Sequence, residues 1–129
     1  MTDRPMFHLS LTIDNVDHAR AFYGVFNFFG HHIVTHEAAP EYINGEDGPK
    51  LGTNKKVPLR HFGVIVEHDQ FQQIAARLKA GGVEMLVPIS MIGIGEPREQ
   101  QVMACADGCG NVLEFKGLPD VQKIFAAAG

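Results

Sequence analysis

Residues 6–13, MFHLSLTI, alternate cleanly: Phe7, Leu9, Leu11 and Ile13 fall on one side, and His8, Ser10 and Thr12 on the other. That period of two predicts a strand with one apolar and one polar face. Asp14 or Asn15 then stands as a helix cap, and Val16, Ala19, Phe22 and Tyr23 make the apolar side of the helix that follows. Residues 60–66, RHFGVIV, repeat the strand, with Phe62, Val64 and Val66 on the apolar face and His61, Gly63 and Ile65 on the other. Asp69 caps a second helix whose stripe is Phe71, Ile74, Ala75 and Leu78, and Gly81–Gly82 ends it. With His8 laid on His61 the two stretches run in register, Leu11 on Val64, Ile13 on Val66 and Phe22 on Ala75. A repeat of this length predicts a fold built from two copies of one unit.

Each copy closes with strands. In the second, VEMLVPIS, EQQVMACAD and NVLEFKG read as three strands, the first two separated by a loop holding Gly93, Gly95 and Pro97, the last two by the turn GCG. In the first, FNFF, a turn at Gly30–His31 and HIVTHE make one hairpin. Module one spans 5–37 and module two 59–117. Residues 38–58, polar and rich in Gly, Pro and Asn, read as the linker, and residues 118–129 as a short amphipathic helix starting at Pro119.

Composition narrows the class of partner. A chain of 129 residues suits a single domain. A formal charge of -4 argues against nucleic acid, which selects basic faces. No apolar run nears the roughly 20 residues of a membrane span, and the start, MTDRPMFHLSLTID, lacks the layout of a signal peptide. The expected location is the cytoplasm, which also suits two reduced thiols, Cys105 and Cys109.

The ordered set FHLSLTIDNVDHARAFYG, VPLRHFGVIV and DGCGNVLEFKG resembles the vicinal-oxygen-chelate superfamily of glyoxalases, bleomycin resistance proteins and extradiol dioxygenases, over about residues 6–117. The resemblance implies an α+β fold in which two βαβββ modules form an open, cup-like sheet. It also implies metal ligands on the cup side of each module's first and last strands, here His8 and His36 in module one and His61 and Glu114 in module two. The strand alternation agrees, since His8 and His61 lie opposite their apolar faces and Glu114 lies opposite Leu113 and Phe115. The interval from His8 to His36 is roughly half that from His61 to Glu114, so module one has room for two strands after its helix. The strand lost is most simply the first, an edge strand, which leaves the first and last strands as neighbours.

The remaining polar side chains carry less. His32 shares the face of His36 and is its rival, His31 reads as a turn residue, His18 and His68 as surface residues at helix starts, and Lys116 as a solvated lysine on the side of Glu114. The cofactor expected is one divalent metal ion, zinc, nickel, manganese or iron. The resemblance implies a lyase or isomerase acting on a small molecule chelated through neighbouring oxygens, with Glu114 as the catalytic carboxylate. It also admits an iron-dependent extradiol dioxygenase, and a drug-binding resistance protein without activity. No glutathione signature stands in the linker. The short first module leaves a bare sheet edge, which predicts a homodimer, with halves of each cup exchanged between chains.

Overall fold

The computed structural model describes residues 4–13, 26–37 and 60–126. Among the described residues seven strands form one sheet: β1 (Met6–Ile13), β2 (Phe26–Phe28), β3 (His31–Glu37), β4 (His61–Glu67), β5 (Met85–Ile92), β6 (Gln100–Ala106) and β7 (Val112–Leu118). A helix, α1 (His68–Ala80), follows β4, and a 3-10 helix, Val121–Phe125, follows β7. The spatial order is β2-β3-β1-β4-β7-β6-β5. The duplication is visible in it: β1 lies parallel to β3, β4 lies parallel to β7, and the two modules join through the antiparallel pair β1 and β4. Module one has two strands after β1 where module two has three after β4, and its first and last strands are neighbours, as the short interval predicts. The helix expected near residues 14–23 and the linker at 38–58 lie outside the described residues.

Alternation sorts each strand between two environments. Val64, Val66, Met103 and Phe115 pack under α1 together with Phe71, Ile74, Ala75 and Leu78, the stripe read from the sequence. Gly117 makes this approach possible, because a Cβ there would stand 2.8 Å from the Cβ and Cγ of Phe71. On the opposite face Met6, Ile65 and Leu118 meet Val121 and Ile124 of the 3-10 helix, so the end of the chain turns back across one end of the cup. A second apolar patch, Val87 with Ala104, Leu86 and Val112, lies at the β5 side. The polar residues of the site sit between these two patches.

Three local expectations change. Helix α1 begins one residue before Asp69 and its N-cap is Glu67, which makes no side-chain cap, so Asp69 stands in the first turn, where its charge favours the helix dipole. The β2–β3 turn falls on Phe29–Gly30, both at positive φ, which puts His31 in β3 opposite Phe28. Such a two-residue turn matches strand twist, and the Asn27 Oδ1 accepts from the Gly30 N–H at 2.6 Å to close it. The amphipathic tail is a 3-10 helix begun at Val121 behind an Asp120 cap, since β7 runs on to Leu118. β1 and β4 pair within the chain, which brings His8 onto the strand beside His61. No described helix is long and apolar enough to cross a membrane.

Candidate metal centre

Three side chains predicted as ligands converge. His8 on β1, His61 on β4 and Glu114 on β7 are all buried, and their ligand atoms lie within 4.8 Å of one another. The register explains it. Gly63 of β4 pairs with His8 on one side and with Glu114 on the other. With no side chain at Gly63, the imidazole and the carboxylate meet above it, and a Cβ there would run into the Glu114 carbonyl oxygen. His61 enters from two residues earlier on the same face, opposite Ser10.

The separations are 3.1 Å from His8 Nε2 to His61 Nε2, 3.2 Å from His8 Nε2 to Glu114 Oε1 and 3.4 Å from His61 Nε2 to Glu114 Oε1. Atoms bound at about 2.1 Å to one ion, at angles between right and tetrahedral, stand roughly 3.0–3.4 Å apart, so the set fits a first-row divalent metal. Two imidazole nitrogens and one carboxylate are the donors that zinc, iron, nickel and manganese accept. The protonation states agree. Burial would raise the Glu114 carboxyl, but hydrogen bonds from His61 and His8 and the charge of Lys116 hold it well below the usual carboxylate range. Burial, with the Lys116 charge, pushes His8 below the ordinary imidazole value against the pull of Glu114, which favours the neutral, ligating form.

His36 faces the same cavity from β3, but it is not one of the three converging residues. The register shows why. Glu114 lies opposite Gly63; the equivalent place in module one, opposite Ser10, belongs to Val34, with His32 and His36 two residues to either side. His36 is half-buried, and burial, then the His61 charge, lowers its pKa. His32 lies opposite His8 instead, its Nδ1 2.8 Å from His8 Nδ1, with the ring planes 20° from parallel. Burial first, then the charges of His8 and Lys116, bring His32 down to about 3, so it is neutral near pH 7.

Lys116 is not the solvated lysine expected. It is buried, its Nζ is 3.2 Å from Glu114 Oε1, and it donates to Gln100 Oε1 at 3.1 Å. Alternation along β7 puts Lys116 on the side of Glu114, but its burial depends on β6, which brings Val102 opposite it and Gln100 within reach. Gln100 escaped sequence reading altogether; its one signal is that it shares the parity of Val102 and Ala104. His31 accepts from the Phe7 N–H at 3.1 Å, and His68 contacts Gln101 at 3.0 Å, both away from the three donors. Cys105 is buried and Cys109 exposed, and neither joins the metal-type cluster.

The centre opens into a cavity of about 420 Å³, within the usual range for small-molecule sites. Val87, Ile92 and Val102 supply apolar wall, and Glu96 and Arg98 stand on the loop between β5 and β6.

No family model and no curated protein matches the chain. Among solved structures it is similar to a glyoxalase/bleomycin resistance protein/dioxygenase from Alicyclobacillus acidocaldarius, at 21% identity and a TM-score of 0.49, over 93% of this chain and 96% of that one. It is similar to a genomically encoded fosfomycin resistance protein from Listeria monocytogenes, at 13% identity and a TM-score of 0.42, over 97% and 99% of the two chains. It is also similar to a virulence protein from Salmonella typhimurium, at 17% identity and a TM-score of 0.36, over 91% and 98%. The first is by name a member of the superfamily that the sequence motifs resemble.

Proposed function

We propose that this chain is a metal-dependent enzyme of the lyase or isomerase kind, acting on a small molecule that chelates through two neighbouring oxygens. The observation that carries the reading is the convergence of His8, His61 and Glu114 at separations a single divalent ion would impose. The ion, zinc, nickel, manganese or iron, supplies Lewis acidity toward the substrate oxygens when bound. The chain supplies the rest. Two groups can take a proton beside the substrate: the ionised Glu114, and His36, a neutral imidazole on the cavity wall. Lys116 holds the Glu114 oxygen in place, and Gln100 holds Lys116.

A second reading is an iron-dependent extradiol dioxygenase. The count of converging donors favours it, since two histidines and one carboxylate leave positions open for a substrate and oxygen. The three converged donors argue against a drug-binding protein without a metal. Elemental analysis of protein purified without chelator separates the readings. Nickel, zinc or manganese supports the lyase or isomerase, iron the dioxygenase, and no metal the binding protein. The His61→Ala variant is expected to lose stoichiometric metal uptake, and uptake equal to wild type would reject the site.

A further inference from the structure

We propose that His32 is a positioning residue of the metal centre, the hydrogen-bond acceptor that fixes the tautomer and ring plane of His8. The inference rests on the metal-site reading above and concerns a residue which that reading does not use.

A histidine that binds a metal through Nε2 must present a lone pair there, so its proton sits on Nδ1 and needs an acceptor. Such acceptors are usually carboxylates, backbone carbonyls or water. Here the atom facing His8 Nδ1 is another imidazole nitrogen, His32 Nδ1, at 2.8 Å between two buried rings. Both atoms cannot carry a proton at that distance, and without one there would be no hydrogen bond. Two arrangements therefore exist for the same heavy atoms. In one, His32 Nδ1–H donates to His8, the His8 proton lies on Nε2 and points at Glu114 Oε1, and the ligand lone pair is closed. In the other, His8 Nδ1–H donates to His32 Nδ1, His32 keeps its proton on Nε2, and His8 Nε2 is free to ligate. Metal binding selects the second arrangement.

The His32 ring is itself held. It meets His8 edge to edge, with centroids 4.9 Å apart and planes 20° from parallel, as an in-plane hydrogen bond requires, and Phe125 of the 3-10 helix meets it edge-on at 5.7 Å. The chain's last described turn thus braces the acceptor, the acceptor orients the ligand, and the ligand faces the site. The register makes this role available, because β3 sets His32 opposite His8 and leaves Val34 at the place that mirrors Glu114.

The test uses the full chain and zinc alone. Affinity is measured by competition with a chromophoric chelator for wild type, His32→Phe and His32→Asn. Phenylalanine keeps a planar ring against Phe125 and removes the acceptor; asparagine offers Oδ1 near the place of Nδ1. A loss of about 10–100-fold is expected for His32→Phe, a typical cost of removing such a partner, with most of it restored in His32→Asn. Nitrogen-15 NMR of the wild-type rings in the zinc form is expected to show protons on His8 Nδ1 and His32 Nε2. Affinity unchanged in His32→Phe, or a proton on His32 Nδ1 in the zinc form, overturns the proposal while leaving the metal site standing. Should His32→Phe fail to fold, the wild-type spectrum decides. A wild type that takes up no zinc, while also lacking any other metal, overturns both.

Discussion

At the scale of single residues, the centre depends on one position with no side chain. Gly63 sits between His8 and Glu114 in the sheet, and a methyl group there would run into the Glu114 carbonyl oxygen. The clash is with backbone, which cannot rotate away, so β4 and β7 would have to part. Gly63→Ala is expected to cost stability of about 1–3 kcal/mol, the ordinary range for overpacking, and to weaken zinc binding in the same variant because the donors move apart. Urea denaturation and chelator competition measure the two effects, and wild-type values in both would show that the sheet has room. Around that glycine the charges are matched: one carboxylate oxygen, Glu114 Oε1, is approached by His8, His61 and Lys116. Taking away one partner of such a buried group is costly, because the others remain desolvated.

At the scale of elements, helix α1 and the 3-10 helix seal the two faces of the sheet on either side of the site. The helix does so through Phe71, which is fully buried and fits against Gly117. Phe71→Ala is expected to lose about 3–5 kcal/mol, the usual cost of emptying a buried aromatic position, read from the shift in a urea midpoint. A loss under that range would mean that α1 settles onto the sheet. Edge strand β5 accepts Pro88 because nothing described pairs with its outer side, and its register slips around that residue. The β6–β7 turn is closed by Asp107, which accepts from the Cys109 and Asn111 N–H groups at 2.7 and 3.0 Å. That turn sets β7, and with it Glu114 and Lys116, against β6.

At the scale of the whole molecule, five residue pairs join β1 to β4 within the chain and bring the three donors together. Each chain is therefore expected to build its own site. Mixing His8→Ala chains with Glu114→Ala chains should restore no zinc binding even where mixed dimers form, and recovery of half the sites would show exchanged halves. Assembly is a separate question. Ile89, Met91, Ile92 and Ile94 are exposed along β5 and the loop after it, and we expect a two-fold dimer, which light scattering measures directly. A monomer at all concentrations would reject it.

The duplicated strands, the shortened first module and the placing of His8, His61 and Glu114 on one face were legible in the sequence, because side chains in a strand alternate with a fixed period and a repeat keeps its register with itself. The stripe of α1 was legible for the same reason at the helical period. What lies across from what was not. Whether His32 or His36 approaches His8 depends on how β3 slides along β1, and a shift of two residues leaves every face unchanged, so alternation is blind to it. Lys116 carried the right parity, yet its burial depends on how far β6 runs past β7 and on Gln100 reaching across that pair. Local periodicity is a property of a few covalent neighbours and can be read from them; register between strands is set by turns, glycines and packing across the sheet, and only the folded chain decides it.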